Sequence, residues 1–135
     1  MSASAQFTFA VRVYWEDTDA AGIVYYANYL RFLERARTEW LRTKGYDQRE
    51  LSRRHDVVFV VRSSNLEFLR PARLDDNLIV TVNLVRLGAG SFDLQQHVER
   101  DRETLVTAEV KIACVRIGAM QPVRIPRELR DAFMR

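Results

Sequence analysis

Apolar and polar residues alternate from Phe7 to Glu16, with Phe7, Phe9, Val11, Val13 and Trp15 on one face. That period belongs to a half-buried strand. The small and acidic run Glu16-Asp17-Thr18-Asp19-Ala20-Ala21-Gly22 interrupts it and predicts a turn or irregular segment. Beyond the turn the period changes to about 3.6 residues. Tyr29, Leu33, Ala36 and Trp40 recur on one side, and Arg31, Glu34, Arg35 and Glu39 on the other. This predicts one amphipathic helix of about 16 residues, about 24 Å long, with Gly45 placed to end it. A short, polar, partly helical stretch follows from Asp47 to His55.

The remainder reads as strands. Val57 to Leu69 is rich in β-branched residues and stops before Pro71. Asp75-Asp76-Asn77 is a turn signal. Leu78 to Leu87 alternates, and Gly88-Ala89-Gly90 then turns the chain. The alternation resumes through Phe92, Leu94, Gln96 and Val98. After a turn at Asp101-Arg102-Glu103 it continues through Val106, Ala108, Val110, Ile112 and Cys114. A short helix is expected from Arg127 to Met134, after Pro126. Strands joined by short turns pair antiparallel. The helix must bury its stripe, and the sheet is the only partner large enough. The expected fold is therefore α+β: a curved, antiparallel, five-stranded sheet wrapped around one long helix, in a single domain of residues 1–135.

Composition narrows the function classes. The 135 residues are 47% apolar and 29% charged, an ordinary globular balance. A chain this long buries roughly 70% of its unfolded surface, enough for one core. Cys114 is the single cysteine, so no internal disulfide is available. The N-terminus lacks the pattern of a signal peptide, and the apolar runs near Val57–Val61 and Leu78–Val85 are too short to span a bilayer. A soluble, cytoplasmic protein is expected. The net charge of +3 comes from 21 basic and 18 acidic residues, scattered rather than blocked, which disfavours nucleic acid as a partner. His55 and His97 lack metal-ligand spacing, so neither a metal nor another cofactor is expected. His97 falls on the solvent side of its strand, and Cys114 falls in the core. No G-x-S-x-G elbow and no phosphate-binding glycine motif is present.

The segment Tyr14 to Tyr29, YWEDTDAAGIVYYANY, holds the densest chemistry. Glu16, Asp17 and Asp19 crowd the end of a strand just before a helix begins. A carboxylate in a dry pocket serves as base or nucleophile. A helix start offers unsatisfied N–H groups and a positive dipole end that can polarise a carbonyl. An acidic turn before a helix is also a common cap or solvated loop, and the spacing does not choose between the two. Asp17 is expected to bond to backbone or to Arg12, and Tyr25 and Tyr29 to pack.

The run from Val11 to Leu41, VRVYWEDTDAAGIVYYANYLRFLERARTEWL, resembles the Tol-Pal-associated, YbgC-type acyl-CoA thioesterases. These belong to the 4-hydroxybenzoyl-CoA thioesterase class of hot-dog proteins. FVVR (59–62), PARLDD (71–76) and ACV (113–115) match in the same order, so the resemblance covers nearly the whole chain. It implies a helical sausage in a sheet bun, sheets joined edge to edge as homodimers or homotetramers, and an active site at the dimer interface. Asp19 is then the catalytic carboxylate, and the backbone N–H of Tyr26, at the start of the central helix, polarises the thioester. Gly22, Ile23, Val24 and Tyr25 line the substrate site. Phe59, Val60 and Val61 form a wall given by the facing subunit. The implied substrate is a short-chain aliphatic or small aromatic acyl-CoA, with an acyl carrier protein as a further possible partner. The alternative is a module that holds an acyl group without cleaving it. Two positions depart from the pattern. Tyr26 stands where the bacterial subgroup commonly has histidine. Gly88-Ala89-Gly90 replaces a basic triplet that contacts the CoA nucleotide in aromatic-acyl relatives, and these glycines offer either phosphate-binding N–H groups or a tight hairpin.

Overall fold

The computed structural model describes residues 6–135. The strands are β1 (Phe7–Arg12), β2 (Val57–Phe68), β3 (Asn77–Leu87), β4 (Ser91–Arg100), β5 (Glu103–Arg116) and the two-residue β6 (Gln121–Pro122). The helices are α1 (Asn28–Thr43), α2 (Gln48–His55) and α3 (Arg127–Phe133). Five strands run in the order β1-β3-β4-β5-β2, every pair antiparallel. The expected five-stranded sheet gains β6, which pairs with β5 at Val115 and Arg116, beyond the end of β4.

The sheet curls around α1 because both have one apolar face to hide. From α1, Tyr29, Phe32, Leu33, Ala36, Trp40 and Leu41 are buried. They join Val80 and Val82 of β3, Phe92, Leu94 and Val98 of β4, and Val106 to Cys114 of β5 in one hydrophobic cluster. One corner is aromatic: Phe92 lies 5.0 Å from both Phe59 and Phe133, and Trp40 lies 5.2 Å from Phe133. That corner is where α3 docks.

The first strand is shorter than its alternation predicts. It ends at Arg12, and Trp15–Asp17 form a single 3-10 turn. Trp15, expected on the buried face, is 82% exposed. The cause is local: the Asp17 carboxylate accepts the Tyr14 N–H at 2.8 Å, and the Asp17 N–H donates to the Tyr14 carbonyl at 2.9 Å. Side chain and backbone thus close the turn before the strand can continue. The other edge of the sheet is β2, 12 residues long, exposed on both faces from Val61 onward apart from half-buried Leu66. An edge of that length is a template for another strand.

Candidate active site

After the 3-10 turn the chain folds back on itself as a miniature antiparallel ladder. Thr18 pairs with Val24, the Asp19 N–H donates to Ile23 at 2.9 Å, and the Tyr25 N–H donates to Asp17 at 3.0 Å. The tip is a tight turn in which the Gly22 N–H reaches the Asp19 carbonyl at 3.0 Å. Gly22 holds φ +80°, a conformation that L side chains resist. Asp19 sits at the start of this turn, and one of its carboxylate oxygens accepts the Ala21 N–H at 2.8 Å. Its second oxygen has no partner among the described residues, and Asp19 is exposed in the single chain rather than enclosed in a dry pocket.

The far strand of the ladder runs directly into α1. Tyr26 lies two residues before the first helical residue, Asn28, rather than on the helix itself. Among the described residues, the Tyr26 N–H has no acceptor. A free amide at the positive end of a 16-residue helix suits an oxyanion. The Asn28 side chain donates to the Asp17 carbonyl at 2.9 Å and ties the helix start to the ladder. The Tyr26 ring is 62% exposed and stands edge-on to Phe68 at 6.1 Å. Tyr25 is exposed beside it, whereas Tyr29 is buried.

The ladder is held from behind by the segment after β2, a contribution that sequence reasoning missed. Val24 donates to the Ala72 carbonyl at 2.9 Å, Ile23 pairs with Arg73, and the buried Ala72 N–H donates to the Tyr29 hydroxyl at 3.0 Å. Asp76 accepts from the Arg73 N–H and from the Arg100 guanidinium, which also reaches the Pro71 carbonyl. The PARLDD run carried the signal: a proline with its fixed φ and the Asp75-Asp76 turn pair bracket a small residue in a backbone segment with little freedom.

The remaining predicted site residues lie elsewhere. Phe59, Val60 and Val61 line a pocket of about 350 Å³ between the second half of α1 and the sheet, together with Arg37, Trp40 and Phe92. On α1 the distance from Asn28 to Arg37 is about 14 Å at 1.5 Å per residue. One chain therefore does not bring Asp19 and Tyr26 together with Phe59–Val61. Gly88-Ala89-Gly90 forms the β3–β4 hairpin, and its carbonyls accept from the Arg130 side chain, from Ile125 at 2.8 Å and from Cys114 at 2.9 Å. A Cβ on Gly90 would stand 3.0 Å from the Val123 carbonyl oxygen, so close packing accounts for that glycine. Cys114 is fully buried, and desolvation pushes its thiol up to about 11. Asp17 bonds to backbone, and His97 is half-buried on the outer face, with its N–H on Thr81.

A curled antiparallel sheet wrapped around one long helix is the hot-dog fold. The sequence profile of the thioesterase-like superfamily matches residues 13–133, and the chain belongs to that superfamily. Within it the chain groups with the YbgC acyl-CoA thioesterases. It is 43% identical over 127 residues to the acyl-CoA thioesterase YbgC of Haemophilus influenzae, covering 94% of this chain and 93% of that protein. It is 41% identical over 128 residues to the acyl-CoA thioester hydrolase YbgC of Escherichia coli O6:H1, covering 94% and 95%. A crystal structure of a probable thioesterase from Bartonella henselae superposes with a TM-score of 0.86 at 38% identity, over 90% of this chain and all of that one.

Proposed function

We propose that two copies of this chain join along β2 and hydrolyse a short-chain aliphatic or small aromatic acyl-CoA to the free acid and CoA. The observation that carries this reading is the Tyr26 amide, unpaired among the described residues, on the same ladder whose turn carries Asp19 with one carboxylate oxygen likewise unpaired among them. The thioester carbonyl accepts the Tyr26 N–H, and the dipole of α1 stabilises the oxyanion as it forms. Asp19 acts as nucleophile or as general base toward water. In the first case a mixed anhydride forms as the CoA thiolate leaves, and water then releases the acid.

The single chain supplies the two halves of the site at different places, and an antiparallel two-fold pairing of β2 edges reconciles them. A two-fold axis sets the start of one α1 opposite the second half of the other. The Asp19 ladder of one copy then faces the Phe59–Val61 wall of its partner. Pairing of these dimers gives the tetramer, and the enzyme works in the cytoplasm alongside the Tol-Pal envelope machinery. An acyl carrier protein is a second carrier for the same acyl group.

The test is a thiol-release assay on acyl-CoAs from acetyl to palmitoyl, with benzoyl forms and an acyl-carrier-protein thioester. Turnover of the short members by the wild type, with a loss of roughly two to four powers of ten in Asp19→Asn, is the expected result. Binding without release in the wild type would instead identify an acyl-holding module. Full activity in a monomer, measured by light scattering under assay conditions, would remove the shared-site reading.

A further inference from the structure

Along the inner face of β4 the sequence Phe92, Leu94, Gln96, Val98 places one amide among apolar residues, and all four are buried. Gln96 donates to the Leu33 carbonyl at 3.2 Å, and its oxygen accepts from the Arg37 guanidinium at 3.0 Å. Arg37 thereby lines the same pocket as the apolar residues Phe92, Leu94 and Ile112. It is half-buried, and its only side-chain partner among the described residues is that neutral amide. Glu34, one turn earlier, is the acid whose field reaches it, but Glu34 is exposed and forms no ion pair with it among the described residues. Burial lowers the pKa of Arg37 from its usual value, a sign that the cation is under-solvated. Arginine stays charged nonetheless. A cation held against an apolar hollow with most of its donors unused is poorly compensated as it stands.

We propose that Arg37 receives a carboxylate at the far end of the acyl group, so that this pocket selects the CoA thioesters of dicarboxylic acids. This rests on the reading above that the pocket holds the acyl chain, and it names the class of chain. The planar guanidinium fork matches a carboxylate in two parallel hydrogen bonds. The apolar residues take the intervening methylenes. Water screens the repulsion from exposed Glu34 more than it screens the half-buried pair.

The experiment measures binding rather than turnover, using calorimetry on Asp19→Asn protein. Matched pairs are titrated: succinyl-CoA against butyryl-CoA, and adipoyl-CoA against hexanoyl-CoA. In at least one pair the dicarboxylic member is expected to bind roughly 10- to 100-fold tighter, and Arg37→Met in the same background is expected to bring the members of that pair to equal affinity. Equal or weaker binding of the dicarboxylic member in both pairs overturns the proposal. So does a preference that survives Arg37→Met, or failure of every member to bind. If Arg37→Met does not fold, the paired comparison with Arg37 intact decides alone. Wild-type turnover is scored separately: binding with the stated preference but no hydrolysis leaves this assignment standing and removes the hydrolase reading.

Discussion

The hydroxyl of Tyr29 accepts the amide hydrogen of Ala72 at 3.0 Å, joining α1 to a segment 43 residues further along the chain. The Ala72 carbonyl in turn holds Val24, and Val24 lies in the ladder that carries Asp19. One phenol thus braces the candidate nucleophile without touching it. Tyr29→Phe keeps the ring and strands a buried N–H, at a cost of about 1–3 kcal/mol. The expected result is a lower denaturation midpoint together with a lower kcat, KM changing less. A variant with wild-type kcat would show that the ladder holds itself.

Gly22 offers a second handle on the same ladder. A Cβ there would meet nothing within 4 Å, so the cost of substitution lies in the backbone at φ +80°. Gly22→Ala is expected to lose about 1–2 kcal/mol, and Gly22→Val more. Gly22→Asn should lose less than either, because asparagine tolerates that region. Denaturant titration of the series checks the order Gly, Asn, Ala, Val, and activity should follow it. A different order would mean that side-chain contacts, not the dihedral, govern the turn.

The β3–β4 hairpin is a packing element on this structure. Gly90→Ala pushes a methyl against the Val123 carbonyl and should destabilise by about 1–3 kcal/mol. The KM for an acyl-CoA and that for the matching acyl-pantetheine should then change by the same factor. A rise for the acyl-CoA alone would place the CoA phosphates on this hairpin.

Cys114 makes stability fall with alkali. Its thiol stays protonated in the folded chain up to about pH 11, whereas the unfolded thiol ionises near 9.0. Between those values the folded state binds more protons than the unfolded state, so stability declines as pH rises. The difference in denaturation midpoint between the wild type and Cys114→Ala should shift against the wild type from pH 9 to pH 10.5. A pH-independent difference would mean that the thiol titrates alike in both states. Below pH 9 the native thiol should resist alkylation until denaturant is added.

How much of this was visible in the chain depends on how local its cause is. The buried faces of β3, β4 and β5 follow from alternation alone, and α1 follows from Tyr29, Leu33, Ala36 and Trp40 within a few residues at each end. The Asp19–Tyr26 segment stood out as an acidic turn before a helix, but its spacing fits a cap as well as a site, and only the resemblance assigned it a catalytic role. The early end of β1 did not, because Trp15 keeps the strand rhythm while the Asp17 carboxylate closes a competing turn. The bracing of the ladder by Ala72 and Tyr29 was hidden for another reason: a hydrogen bond across 43 residues leaves no periodic trace. The side-chain bond of Arg37 is of the same kind, since it depends on Gln96, 59 positions away.

The roughly 14 Å of α1 between its start and Arg37 has a genetic corollary. Two inactive proteins, one lacking the Asp19 carboxylate and one with a ruined Phe59 wall, should revive each other when refolded together. Random reassociation makes half the pairs hybrid, and each hybrid restores one centre of two, so recovery should reach roughly a quarter of the native rate.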